Sequence, residues 1–206
     1  SERTRAAILN QALKFLEAHQ FRDLSVSQLM APLPVGRSAF YQYFADLHEL
    51  METLLRDLEQ EIVEVANPWL GDEPDPPEAL RRSLAELVRV CHARGPILRA
   101  VRDAASTDSW LEAAWNDFLG RFDDAVEQRI LLDQERGLIP EFDARAVARA
   151  LNRMDASYLI SAFGSPNRQP KAAVLAAINQ IWLSTLYPAR SKVHGRNPIA
   201  NKESGE

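Results

Sequence analysis

Apolar residues recur at threes and fours along most of the chain, the spacing of helices that bury one side. Ile8, Leu9, Ala12, Leu13, Phe15 and Leu16 predict a first helix from about Glu2 to Gln20. The stretch Ser25 to Leu47 then changes rhythm. Ser25 is placed to cap a short helix, with Gln28 three residues on able to reach back to its backbone, and Val26, Leu29 and Met30 share one side. Pro32 and Pro34 interrupt it, since neither supplies a backbone donor and each disfavours helix in the residue before it. After Gly36, Phe40 and Phe44 fall four apart, with Arg37, Ser38, Tyr41 and Gln42 on the other sides. Two short helices about a tight turn, the second presenting polar and aromatic groups, read as a helix-turn-helix.

Asp46 caps a longer helix to about Val65, in which Leu47, Leu50, Leu54, Leu58 and Ile62 form a stripe. A helix of that length, shared between two parts, is a natural lever. The segment Asn67 to Pro77, rich in Pro and Asp, predicts a loop. Beyond it the pattern predicts helices from Pro77 to Gly95, Pro96 to Ala105, about Asp108 to Gly137, Asp143 to Gly164 and Lys171 to Tyr187. No period-two alternation competes. The expected fold is therefore all-α, with about nine helices: a three-helix head over residues 1–46, a helical-bundle body over 47–188, and a disordered polar tail over 189–206.

Composition narrows the classes. A chain of 206 residues with 46% hydrophobic and 26% charged content is that of a soluble globular protein. No apolar run is long enough to span a membrane, and the opening SERTRAAIL lacks the core of a secretory leader. The single Cys91 precludes an intrachain disulfide and suits a reducing cytoplasm. Net charge is −5, and through Leu50 the five basic residues Arg3, Arg5, Lys14, Arg22 and Arg37 meet five acidic ones, Glu2, Glu17, Asp23, Asp46 and Glu49. Such a head neutralises few phosphates, so any DNA recognition must lean on specific contacts.

Catalytic chemistry is not expected. His19, His48, His92 and His194 stand far apart in no metal-ligand spacing, and Cys91 and His92 diverge as helix neighbours. No phosphate loop or nucleophile elbow is present, and no cofactor or metal is implied. Asp103, Asp108, Glu112, Asp117, Asp123 and Asp124 read as a solvated helix face. The body instead gathers aromatics with a few polar groups. Trp110, Trp115, Phe118 and Phe122 share one helix, Asn152, Asp155 and Tyr158 the next, and Trp182 the last, with Leu87 and Cys91 on an earlier apolar side. Asn152 and Asp155 lie near an apolar face and need partners, from either a buried side-chain network or a ligand-sized cavity.

The helix-turn-helix resembles that of TetR-family transcriptional regulators, whose recognition helix ends in an aromatic, tyrosine, any residue, tyrosine, phenylalanine block. Phe40, Tyr41, Tyr43 and Phe44 match it. Pro34 replaces the usual turn glycine, Gly36 the usual Ser or Thr, and Leu47 the usual lysine. The resemblance implies a double-stranded DNA operator touched by Arg37, Ser38, Ala39, Tyr41, Gln42 and Tyr43, flanked by Ser27 and His48. Arg37 and Ser38 would reach base edges or nearby phosphate, and the tyrosines and Gln42 the backbone. Arg3 and Arg5 are either further phosphate contacts or solvated arginines at a frayed end.

The second half resembles the ligand-binding domain of the EthR branch of that family, through AAWNDFLGRF, ERGLIP, RALNRMDASYLISAFG and INQIWLSTLY. That resemblance implies an aromatic channel for a small hydrophobic effector, carried onto Trp115, Phe118, Asn152, Asp155 and Trp182, with Asp155 in place of an asparagine. An ionised Asp155 facing the channel would be costly, so it is protonated, bridged to an arginine such as Arg153, or turned away, or else it selects a ligand with a donor or positive charge. The resemblance also implies a homodimer through the last two helices, and Ala172, Ala173, Ala176, Ala177, Ile178 and Ile181 offer a small apolar side for it. The reading is a ligand-responsive regulator, most simply a repressor, in which the helix from Asp46 shifts. Two other classes remain: a sensing dimer with weakened DNA binding, insensitive to Arg37→Ala, and a helical-bundle enzyme sensitive to Asp155→Asn.

Overall fold

A computed structural model of the chain describes residues 1–188, so the expected tail over 189–206 lies outside the described residues. Eight α-helices follow in order: α1 Glu2–Ala18, α2 Val26–Met30, α3 Arg37–Phe40, α4 Leu47–Leu70, α5 Pro76–Ala105, α6 Ser109–Glu135, α7 Ala144–Phe163 and α8 Lys171–Leu186, with a 3-10 turn at Phe21–Asp23. No strand occurs among the described residues. The fold is all-α, as the hydrophobic spacing predicts.

Helix α5 is the centre of the molecule: α1, the 3-10 turn, α4, α6, α7 and α8 all pack against it. Its sequence allows this because buried positions occur all round it, from Leu80, Leu84 and Val88 to Val90, Cys91, Ile97, Ala100 and Val101. The sequence predicts a break at Gly95–Pro96, yet α5 runs through both. Helix α7 crosses there so closely that a Cβ on Gly95 would stand 2.3 Å from the carbonyl oxygen of Phe163. Only glycine admits that approach, and the packing it permits offsets the local cost of a Gly-Pro pair in a helix.

Helix α4 also outruns its predicted end, passing Pro68 to Leu70. Pro68 cannot donate, but the following turn is repaired from outside. The backbone N–H of Trp69 donates to Ser83 Oγ on α5 at 3.3 Å, and that hydroxyl donates to the carbonyl of Ala66 at 3.4 Å. Trp69 is thereby brought into the core, 3% exposed, rather than left in a loop.

The predicted caps form at Ser25, Asp46 and Asp143, and Asp108 caps α6. At Ser25 the reciprocal bond differs from expectation: Gln28 takes the serine hydroxyl proton at 2.7 Å rather than a backbone proton. The head is tied to the body by side chains. Arg99 on α5 donates to the carbonyl of Leu16 at 2.6 Å, satisfying an open C-terminal acceptor of α1. His48, in the first turn of α4, lies 2.5 Å from Asp108 and stacks on Trp110.

Candidate functional site

Two regions hold the candidate residues. In the first, Phe40 and Phe44 are buried against each other with ring centroids 5.5 Å apart, anchoring α3 and the turn after it. That anchor turns the intervening groups outward. Arg37, Ser38, Tyr41 and Gln42 are exposed on one short segment, Tyr41 to 57%, and Ser27 is exposed on α2. Ala39 and Tyr43 are half-buried, and the Tyr43 hydroxyl is held by the amino group of Ser1. Arg5 sits over the Phe44 ring, 5.6 Å from its centroid. His48 does not join this surface. It belongs to the junction with the body, where burial pushes the Asp108 carboxyl up but hydrogen bonds to His48 and from the backbone of Leu111 and Trp110 hold it below its ordinary value.

The second region is a pair of adjoining cavities in the body, of about 80 and 70 Å³. Leu87, Cys91, Trp115, Phe118, Phe122, Asn152 and Asp155 line the first. Leu87, Phe122, Asn152, Asp155 and Trp182 line the second, so five of their residues, Ile62 included, stand on both walls. Trp115 stacks on Phe118 at 5.5 Å, and Phe122 meets Phe118 edge-on at 5.1 Å. Two expected residues lie elsewhere. Trp110 is half exposed and donates through its indole N–H to Glu52, and Tyr158 lines neither cavity. Ala66 and Trp69 from α4 were missing from the sequence reading, and Ile62 was read only as part of the α4 stripe. Their spacing of four and three continues the α4 stripe, a signal that the loop assigned to Asn67–Pro77 concealed.

The polar groups around the cavities divide sharply. Asp123, expected in solvent, is 1% exposed and takes two hydrogen bonds from the Arg153 guanidinium, at 3.1 and 3.0 Å, and one from Asn152 at 3.0 Å. Arg153 therefore does not bridge to Asp155. Asp155 faces inward at 6% exposure, where Trp182 Nε1 donates to its Oδ2 at 3.0 Å. Its Oδ1 has no hydrogen-bond partner among the described residues. Burial, only partly countered by the Trp182 bond, pushes this carboxyl up to about 7. Burial also raises the neighbouring Cys91 thiol, with Asp155 adding to the effect, so Cys91 is an apolar wall rather than a nucleophile.

The floor of the second cavity is braced by a buried network. Trp69, edge-on to Trp182 at 5.7 Å, donates to the Tyr187 hydroxyl at 2.8 Å, which donates to Asp133 at 2.5 Å. Asp133 pairs with Arg129 at 2.9 Å, both side chains 1% exposed, and Arg129 donates to the carbonyl of Gly71. The end of α4 is thus fixed to α6 and α8.

Comparison with known proteins shows the family and the fold. Residues 80–188 match the family described as transcriptional regulator EthR, C-terminal domain. Over 187 residues the chain is 26% identical to the HTH-type transcriptional regulator EthR of Mycolicibacterium smegmatis, covering 88% of this chain and 85% of that one. Among solved structures, a TetR-family regulator from Syntrophomonas wolfei superposes with a TM-score of 0.76 at 17% identity, covering 89% of this chain and 94% of that one. PfmR, a TetR-family regulator from Thermus thermophilus, gives 0.70 at 22% identity, covering 87% and 98%.

Proposed function

Since the chain belongs to the EthR-type transcriptional regulators of the TetR family, we propose that it is a cytoplasmic repressor, released from a palindromic operator by a small effector bound in the body. The observation that carries this reading is that two of the cavity-lining helices, α4 and α5, also hold the head. Helix α4 begins at the head with Asp46 and reaches the cavity through Ile62, Ala66 and Trp69. Helix α5 lines the cavity with Leu87, Cys91 and Leu98 and grips α1 through Arg99 one residue later. An effector that needs more room than the two cavities offer displaces these helices and moves the head with them. A tenfold loss of operator affinity requires about 1.4 kcal/mol of preference for the displaced state.

Arg37 and Ser38 would meet base edges, with Tyr41, Gln42 and Ser27 on the phosphate backbone. A single helix-turn-helix reads few bases, so the proposal includes a homodimer with half-sites about one helical turn, ~34 Å, or a multiple apart. The exposed stripe Ala172, Ala173, Ala176 and Ile181 on α8 supports pairing there, beside Asn179, whose sheltered Oδ1 has no partner among the described residues. Ile178, expected on that stripe, is buried instead, and Ala177 is half-buried. Selection from a randomised DNA pool at physiological salt tests the proposal. An enriched palindrome whose binding is lost in Arg37→Ala is the expected result. No enrichment by folded dimer would leave a sensing protein without an operator, the reading that the evenly balanced head charge favours.

A further inference from the structure

Every other buried charge in the body has a counter-charge. Asp123 has Arg153, and Asp133 has Arg129. Asp155 has only the indole of Trp182, and its free Oδ1 belongs to a residue lining both cavities. The surrounding walls carry no basic side chain; they are Ile62, Leu87, Leu98, Leu119 and Leu159 with the rings of Trp115, Phe118, Phe122, Trp69 and Trp182. Aromatic faces around a carboxylate form a setting for a cation, which gains from the ring quadrupoles as well as from the charge.

We infer that the effector is a small hydrophobic amine, its ammonium against Asp155 and its apolar part among the Trp115, Phe118 and Phe122 rings. This rests on the reading of the cavities as the effector site. Together the cavities approach the roughly 150 Å³ in which an apolar site admits a benzene ring, so a single ring fills them and a short chain on it needs the extra room that displaces α4 and α5. A protonated, neutral Asp155 would instead donate from its unpartnered oxygen and prefer a carbonyl acceptor. A carboxylate ligand would be repelled by the ionised form.

Four probes of similar shape separate these outcomes: phenethylamine, phenethyl alcohol, benzylacetone and hydrocinnamate. Each is titrated calorimetrically into the full chain and into Asp155→Asn. The expected result is that phenethylamine binds at least tenfold more tightly than the other three, and that Asp155→Asn removes the preference while still binding the alcohol. Tighter binding of benzylacetone, or equal binding of amine and alcohol in both proteins, overturns the amine assignment and leaves the effector cavity standing. If no probe binds the folded dimer, the amine assignment fails together with the cavity reading itself.

Discussion

The proposed recognition surface and the body cavities draw on the same residue types, aromatics with a few polar groups, in opposite states of solvation. Around α3 two buried phenylalanines serve as an anchor so that Arg37, Ser38, Tyr41 and Gln42 stand in water, where their hydrogen-bonding capacity costs nothing to keep open. In the body the aromatics are the walls and the polar groups are enclosed. There each must be paired or pay for its isolation, as Asp123 and Asp133 are paired and Asp155 is not. A change on the surface should therefore alter recognition and spare the fold, whereas a change in the body should register first as stability.

The sharpest break is Arg129→Ala. It strands Asp133 in a site that excludes water and should cost about 3–5 kcal/mol in urea unfolding, while Arg129→Met with Asp133→Leu should recover most of it. Asp155→Asn should act in the opposite direction. Burial lifts the folded carboxyl from 3.8 to about 7, so within that window the folded chain holds a proton that the unfolded chain releases. Stability then falls as pH rises through the window and levels off above it. The amide removes this penalty, and the variant should exceed the parent by roughly 2–3 kcal/mol near pH 8, with the gap closing towards pH 4. On the surface, Arg37→Ala should weaken the selected operator by about 1–3 kcal/mol and shift unfolding by no more than ~0.5 kcal/mol. Ser25→Ala, removing the α2 cap, should cost about 1 kcal/mol by thermal unfolding, the smallest of these effects.

What could be read from the sequence follows the same division. Helix starts marked by Ser25, Asp46 and Asp143 are local, and the helices begin there. The stop at Gly137 is equally local: its φ of 66° is a left-handed closure that glycine takes freely. Gly95–Pro96 and Pro68 carry the same local signals but sit where other helices compensate, through the Phe163 crossing and the Ser83 hydroxyl. No local rule contains that information. Five of the cavity residues, Trp115, Phe118, Asn152, Asp155 and Trp182, could be named because they were matched one by one to a related domain. Trp110 and His48 were assigned to separate sites, yet they stack on each other at 5.5 Å across the junction, a contact set by how α4 meets the start of α6. The separation of Arg153 from Asp155 could have been anticipated, since residues two apart on a helix point to different sides.

The measurement that bears most directly on coupling between the two regions is operator affinity after the cavity is forced open from within. Ala156 lines the first cavity from α7, distant in sequence from every proposed DNA contact. Ala156→Phe places a ring where an effector would press on α4 and α5. With helix content and dimer retained, the account predicts at least a tenfold loss of affinity for the selected operator, or about 1.4 kcal/mol. Unchanged affinity would contradict it and leave head and body as two independent units.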